Sequence, residues 1–591
     1  MSLNNSGSGI RPNLINTGEI IVERGFVEHG FPQRGWLSFQ KWIDERDPKR
    51  MTFDQGTWTV HPMSEVHVEK VSIDHELDLT QWYMAINASN VTLMGPARFD
   101  FLNTIEENRG RLTLQNNHLF ITAGDLLNRG AIRIESGAKL QMPGARLTID
   151  EGTVFIEGAS GASLVGAATI EVIGGAFTNA LAAGPIMLAD NWIVREKWLG
   201  ADLQGHDIVA PASVSFGDAW VDAIAINANV TLDGSDATMT PLTRLVSNAG
   251  SLSLTGGSVL ALEQDLHNTT TGSLSVRRAG QLLIDGALTS EGELIVGPEG
   301  YLQAGAVHLL AGSATLDGVL DTPAVSISDN VVVTGSTLIT GSLSNAGQLA
   351  VGSSAGIMEV FGGINQAETG SIAFEILGQA AGASYDQLIL HADSEFRGEL
   401  VLTFGGDFQP RFARQWLLAD AREMLGGNGL AHVDWLFDEI NVVGLDPLTT
   451  DPLAGASPLH AQDMLLGMYL DMAVLLSFHG GSGGDMLVYI AHLMGDMNLD
   501  GAVDTGDVAP FVLALTNPAV YMAQFDIDEA ALTALGDINQ DGAFDTGDAA
   551  AFVQLLVSGA TVGSPGVPEP GTLALLGWAA ALVLSRWRGC R

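Results

Sequence analysis

From residue ~10 to ~350 the chain repeats one local pattern, Asn-x-Gly followed by apolar–x–apolar. It stands at Asn16-Thr17-Gly18 before Ile20 and Val22, and at Asn108-Arg109-Gly110 before Leu112 and Leu114. It returns at Asn128-Arg129-Gly130, Asn248-Ala249-Gly250 and Asn345-Ala346-Gly347. Alternation of this kind predicts short half-buried strands. Asn and Gly tolerate a left-handed backbone, so each pair predicts a tight turn at positive φ. Asn108 to Asn128 is 20 residues, as is Asn248 to Asn268. That period is the mark of a solenoid whose coils bury their apolar faces on one another. Leu112, Leu114, Leu252 and Leu254 should face its interior. A longer repeat lies on top: Ala85-Ile86-Asn87-Ala88 and Ala225-Ile226-Asn227-Ala228, Asn108 and Asn248, Asn128 and Asn268 all sit 140 apart. Three matches at one offset read as an internal duplication of about seven rungs.

Near residue 357 the runs lengthen, as in Ser371-Ile372-Ala373-Phe374-Glu375-Ile376 and Glu399-Leu400-Val401-Leu402. Tyr385-Asp386-Gln387-Leu388, Phe408, Pro410 and Trp416-Leu417-Leu418 accompany them. This stretch of about 60 residues resembles the C-terminal rungs of autotransporter-like passenger repeats. The resemblance implies a solenoid end or a small β cap and no chemistry.

Residues 494–560 carry two acidic loops 41 residues apart. The first holds Asp496, Asn498, Asp500, Ala502, Asp504 and Asp507. The second holds Asp537, Asn539, Asp541, Ala543, Asp545 and Asp548. Oxygen side chains fall at positions 1, 3, 5, 9 and 12, with Gly501 or Gly542 at position 6 and a backbone carbonyl from Ala502 or Ala543 at position 7. This is calcium-loop spacing, in which hard oxygen ligands wrap one cation and Gly makes the sharp turn. Two calcium ions are expected. The Asp-ended, duplicated loops, each followed by a helix, resemble a type I dockerin. The resemblance implies a calcium-folded module docking onto a cohesin-like partner. Positions 10 and 11, which in that family help choose the cohesin, are Thr505-Gly506 and Thr546-Gly547. A purely structural, calcium-stapled terminal module is the alternative. The wide spacing leaves the stretch around Pro518 and Tyr521 as an extra linker.

At the end of the chain Pro568-Glu569-Pro570 precedes an apolar run to Ser585, then Arg586, Arg588 and Arg591. Gly571 to Trp587 would make a helix of about 25 Å, short for a membrane span. The trailing arginines place that end in the cytoplasm. The pattern resembles the PEP-CTERM sorting signal. It implies export, transient retention in the inner membrane through the helix, and cleavage by an exosortase-type enzyme that recognises Pro568, Glu569 and Pro570. With the repeats and the dockerin-like pair, the whole resembles a planctomycete-type exported surface protein. Met1 to Gly7 carries neither the basic residues nor the apolar run of an export signal, so a misplaced start or a truncated upstream passenger is expected.

Composition sharpens the functional reading. Of 591 residues 46% are hydrophobic, so a core is within reach, and only 16% are charged. With 27 Lys and Arg against 68 Asp and Glu, the net charge of −41 argues against nucleic acid as a partner. The single cysteine, Cys590, excludes an intrachain disulfide. Basic residues look scattered, with Arg277-Arg278 the one adjacent pair within the repeats beyond Asn108, and no nucleophile elbow, zincin or Walker motif occurs. His61, His67 and His75 read as exposed strand residues. Trp58 with Trp192, and Trp82 with Trp220, read as rung fillers before sugar platforms.

The expected fold is therefore mainly β. A right-handed β-solenoid spans 1–356, and a β cap or final rungs span 357–493. A small α-helical dockerin-like domain follows over 494–560, then a linker at 561–566 and the sorting signal with a C-terminal membrane helix at 567–591. The expected function is a non-enzymatic, structural or adhesive protein of the cell surface or matrix, with a cell-surface polysaccharide as a partner. A carbohydrate-active β-helix, a lyase or hydrolase carrying a dockerin, is the alternative. Aligned Asp or Glu with an Arg on one face would favour the enzyme; a face of only Thr, Ser, Asn and small apolar residues would favour the structural role.

Overall fold

The computed structural model describes strands within 19–22, 36–39, 50–60 and 65–68, and then residues 83–96, 100–157, 161–201, 207–405, 415–422, 430–445, 464–469, 472–478, 481–482, 484–490, 494–498, 503–525, 527, 529–539 and 543–558. The protein is mainly β, with a β-solenoid of about 12 turns and few helices. It divides into two compact units, Met1–Val333 and Thr334–Arg591.

In the first unit each coil lays down short strands that pair in parallel with those of the next coil. One inward column runs Val91, Leu112, Ile132, Val154, Phe177, Val214, Met239 in strict register. A second runs Leu126, Leu147, Ile170, Trp192, Val230, Leu252, Leu274, Leu294. All are buried, and Leu112, Leu114, Leu252 and Leu254 are 0% exposed, as the alternation predicts. Full burial of such a side chain contributes about 1.5–3 kcal/mol. Trp192 is a rung filler: it packs edge-on against Phe177 and Phe216 at 5.2 and 5.7 Å.

The Asn-x-Gly motif sits at equivalent corners of neighbouring coils, but not for the reason the sequence suggested. None of Asn108, Asn128, Asn248 or Asn268 has positive φ, and neither do Gly110, Gly130 and Gly250. The asparagines are buried at 0% exposure and stack into ladders. Asn87 Nδ2 donates to Asn108 Oδ1 at 2.8 Å, and Asn108 Nδ2 to Asn128 Oδ1 at 2.7 Å. Asn248 Nδ2 donates to Asn268 Oδ1 at 2.8 Å, and Asn268 Nδ2 to Ser290 Oγ at 3.0 Å. A primary amide is the group that can accept from one coil and donate to the next, so each buried polar side chain finds partners along the stack. The glycines are there for space. A Cβ on Gly130 would overlap the carbonyl oxygen of Gly110, and one on Gly110 that of Ser89. Gly250, Gly272 and Gly292 repeat the arrangement against Ala228, Asn248 and Gly272.

The 140-residue offset does not place the two ladders in one column of the coil. Asn128 lies in register with Ile149, Val172, Val194, Leu232 and Leu254. That column passes through the strand after Asn248, Ser251–Thr255, and not through the one containing it. The two ladders thus occupy different columns of the coil. The tetrapeptide match is not equivalent either. Asn87 is a buried ladder residue, whereas Asn227 is an exposed turn residue with φ 68°. Ile224, not Asn227, lies beside Asn248. An isoleucine cannot donate, and among the described residues Asn248 Oδ1 is buried without a partner.

In the second unit the parallel columns run Leu349, Ile372, Leu400, Ile440 and Met358, Leu388, Ala419. Asn345 and Gln366 continue the amide ladder here at 3.1 Å. Beyond Val443 the pairing turns antiparallel: Gln415–Ala421 pairs with Met486–Ile490, which pairs with Met472–Phe478. This end piece covers a sheet edge that would otherwise be open to pairing with other chains. Phe408 and Pro410 lie outside the described residues.

Tyr385-Asp386 is a staple. Asp386 is 1% exposed and accepts from Gly356 N at 2.8 Å and Glu375 N at 2.6 Å. Burial pushes its carboxyl up to about 7 against these two donors, and the nearby Glu375 charge adds to the rise. A folded-state value above the unfolded one means that the native state holds the proton more tightly. The contribution is fully present below about pH 4 and is lost as pH rises through about 7. We expect the stability difference between wild type and Asp386→Asn to change by a few kcal/mol between pH 4.5 and 8, to the disadvantage of wild type at high pH. Urea midpoints of both proteins across that range check this; a flat difference would contradict it.

Among the described residues near the end of the chain are four helices: α1 Val508–Thr516, α2 Pro518–Phe525, α3 Glu529–Gly536 and α4 Asp548–Ser558. The stretch around Pro518 and Tyr521, expected as an extra linker, is α2. Tyr521 is 0% exposed and donates its hydroxyl to Met497 O at 2.8 Å. The core of this segment gathers Met497, Val503, Phe511, Ala514, Tyr521, Leu532, Leu535 and Phe552.

Candidate functional site

The two acidic loops fold alike. Asp507 Oδ1 accepts from Asn498 N at 2.8 Å, and Asp548 Oδ1 from Asn539 N at 3.0 Å. Asp507 Oδ2 accepts from Asp504 N at 2.8 Å, and Asp548 Oδ2 from Asp545 N at 2.9 Å. Asp504 and Asp545 each accept from the glycine two residues on, at 2.6 Å. Every bond has its counterpart 41 residues away. Phe511 and Phe552, also 41 apart, stack face to face with centroids 4.1 Å apart and planes 7° from parallel. With Phe544 edge-on to Phe511 at 5.5 Å, the pair packs the two loop–helix units against each other. In each unit the position-12 carboxylate ties loop positions 3 and 9 to the helix start.

The charges of this segment fit a cation. Residues 494–560 contain eleven Asp and Glu and no Lys, Arg or His. Yet Asp496, Asp507 and Asp548 are 0% exposed. Burying a carboxylate carries a desolvation cost of several kcal/mol, and residues 494–560 themselves contain no cationic side chain to offset it. Burial, with the Asp496 and Asp507 charges behind it, also pushes the Tyr521 hydroxyl up. Asp496, Asn498, Asp504 and Asp507 would hold one ion, and Asp537, Asn539, Ala543, Asp545 and Asp548 the other. Asp500, Ala502 and Asp541 lie outside the described residues. Among the described residues no three Asp, Glu, His or Cys side chains converge on one point.

The first unit carries a charged row that the sequence did not reveal. Glu107, Asp150 and Glu171 are buried, yet their partners are arginines and a lysine, most of them from other coils. Glu107 takes a two-pronged contact from Arg109 at 2.8 Å, and Arg129 bonds Asp150 at 3.0 Å. Lys197 reaches Asp150 at 2.6 Å and Glu151 at 2.8 Å. Glu171 sits between Arg146 and Arg195. Arg109 lies 2 residues from Glu107, but the partners that join different coils lie 21–25 residues apart along the chain, or 47 for Lys197 and Asp150. They are adjacent only once the coils stack, so scattered cations become a row. This is the alignment of carboxylates with arginine that would favour an enzyme. Each of these carboxylates, however, is engaged by one or more cations, which makes the row an inter-coil clamp.

A second acidic feature is a groove of about 830 Å³ lined by Glu263, Asp265, His267, Asp285 and Glu291. Asp265 Oδ1 accepts from Ala287 N at 2.8 Å, and His267 Nε2 lies 3.6 Å from Glu291.

The side chains of Trp58 and His67, and all of His61, His75, Trp82 and residues 559–591 with Pro568, Glu569 and Pro570, lie outside the described residues. No helix among the described residues is long and apolar enough to cross a membrane. No protein-family model matches the chain, and no curated protein is similar to it.

Proposed function

We propose that this is an exported structural or adhesive protein of the cell surface or matrix, with a C-terminal dockerin-like module stabilised by two calcium ions. The observation that carries the structural role is the outward face of the coils from Asn229 to Leu316. Its registered columns read Asn229, Ser251, Ser273, Glu293, Ser313 and Thr231, Ser253, Ser275, Ile295, Thr315. Such a face offers hydroxyls for hydration and weak contact, and little acid–base chemistry. The Arg-clamped row supports the same reading, because interlocking coils resist local opening. The carbohydrate-active alternative would draw on the groove around Asp265 and Asp285.

Export and sorting rest on the tail. In its native host the Glu569→Ala protein should stay uncleaved and membrane-associated, while the wild type is processed to the envelope or matrix. Fractionation with immunoblotting reads the outcome. Normal processing of Glu569→Ala would remove the sorting reading.

A further inference from the structure

The turn between strands Ala212–Ser215 and Asp218–Ile224 and the 3-10 helix Thr240–Arg244 enclose a concavity of about 260 Å³. Ser215, Asp218, Trp220, Thr240, Thr243 and Arg244 are among its walls. The Arg244 guanidinium lies over the Trp220 ring, 4.2 Å from its centroid. A cation so placed is attracted by the ring's electron-rich face, which fixes its position without neutralising it. Among the described residues Arg244 has no carboxylate within 4.0 Å and its guanidinium makes no hydrogen bond. That differs from Arg109, Arg129, Arg133, Arg146 and Arg195, each of which holds a carboxylate. In a chain with 68 acidic and 27 basic residues, a half-buried arginine with its donors unengaged is a ready oxyanion receptor.

We infer that this concavity binds the carboxylate-bearing ring of an acidic sugar. The planar fork of Arg244 matches a carboxylate with two parallel bonds. The Trp220 Nε1–H makes no hydrogen bond among the described residues and supplies a further donor. Asp218 stands more than 4.0 Å from the guanidinium and accepts from hydroxyls, as do Thr240 and Thr243. A ligand with charge at one end and hydroxyls elsewhere satisfies both halves of the site. A compact, fully charged ion such as sulfate would meet Asp218 unfavourably. The inference rests on the adhesive reading for the source of its ligand and names the ligand's class; calcium binding and tail processing test that reading separately.

The experiment titrates the calcium-loaded full chain with galacturonic acid, galactose and inorganic sulfate by saturation-transfer NMR. Galacturonic acid should bind in the millimolar range, with galactose and sulfate at least tenfold weaker. Arg244→Gln should weaken galacturonic acid at least tenfold, with an unchanged melting midpoint. If Arg244→Gln does not fold, Arg244→Lys decides, since it keeps a charge but loses the fork; a fivefold loss supports the site. Galactose or sulfate binding as tightly as galacturonic acid overturns the inference. So does wild-type affinity in Arg244→Gln or, where that variant does not fold, in Arg244→Lys.

Discussion

Removing calcium from the full-length protein should abolish one calorimetric transition and leave the solenoid's transition in place. The reason is the charge of residues 494–560, eleven acidic side chains and no basic one, with three carboxylates fully buried. Without a cation these groups must be protonated, hydrated or pulled apart, and each route opens the loops. A site filled at a thousand times its dissociation constant stabilises the fold by about 4 kcal/mol per ion, comparable to the whole stability of so small a module. Titration calorimetry should count two ions. Asp507→Ala and Asp548→Ala should each leave one and lower the module's transition. These two variants also strand a pair of backbone N–H groups, Asn498 and Asp504 or Asn539 and Asp545, at about 1–3 kcal/mol for each donor left buried. Asp504→Ala, at an exposed position, should weaken binding with a smaller loss of stability. Identical thermograms in millimolar calcium and in chelator would end the calcium reading.

Much of the solenoid is legible in the sequence because its core obeys a period of two. Leu112, Leu114, Leu252 and Leu254 alternate with polar neighbours and all face inward. The duplication of the two acidic loops is legible because their spacing is a local property, and the bond from Asp504 N to Asp507 recurs 41 residues on from Asp545 N to Asp548. What the sequence hides is set by stacking. Arg129 and Asp150 are 21 residues apart and meet only because each coil has its own length. Asn227 and Asn87 share a tetrapeptide but not a register, because the coils around them differ in length. The role of Asn-x-Gly is misread for the same reason. A local rule assigns it to turn conformation, whereas its cause lies in the coil above.

That distinction is testable, because the two explanations of the glycine disagree about which side chain it could tolerate. If Gly130 were needed for a left-handed turn, asparagine would be accepted there and alanine would cost about 1 kcal/mol. If it is needed for space, any Cβ fails, because that atom would overlap Gly110 O and crowd the Arg109 carbonyl at 2.7–2.8 Å. A real Cβ does not come within 3.0 Å of backbone, so the coils must part, and the Asn108–Asn128 amide bond and strand pairing part with them. We therefore expect Gly130→Ala and Gly130→Asn to destabilise their coils equally, by about 3 kcal/mol or more. Gly124→Ala is the matched control: that glycine is exposed, has no positive φ and meets nothing within 4 Å. It should be neutral or slightly stabilising, since alanine restricts the unfolded chain. Leu252→Asp, which puts a charge at a fully buried site, should be as damaging as the Gly130 variants, and Ser253→Asp on the outward side mild. Hydrogen exchange is the suitable readout, because a stack of coils opens locally before it unfolds as a whole. Protection should fall across residues 107–157 in both Gly130 variants and stay at wild-type levels in Gly124→Ala. A Gly130→Asn protein as protected as the wild type would restore the turn explanation and remove the steric one.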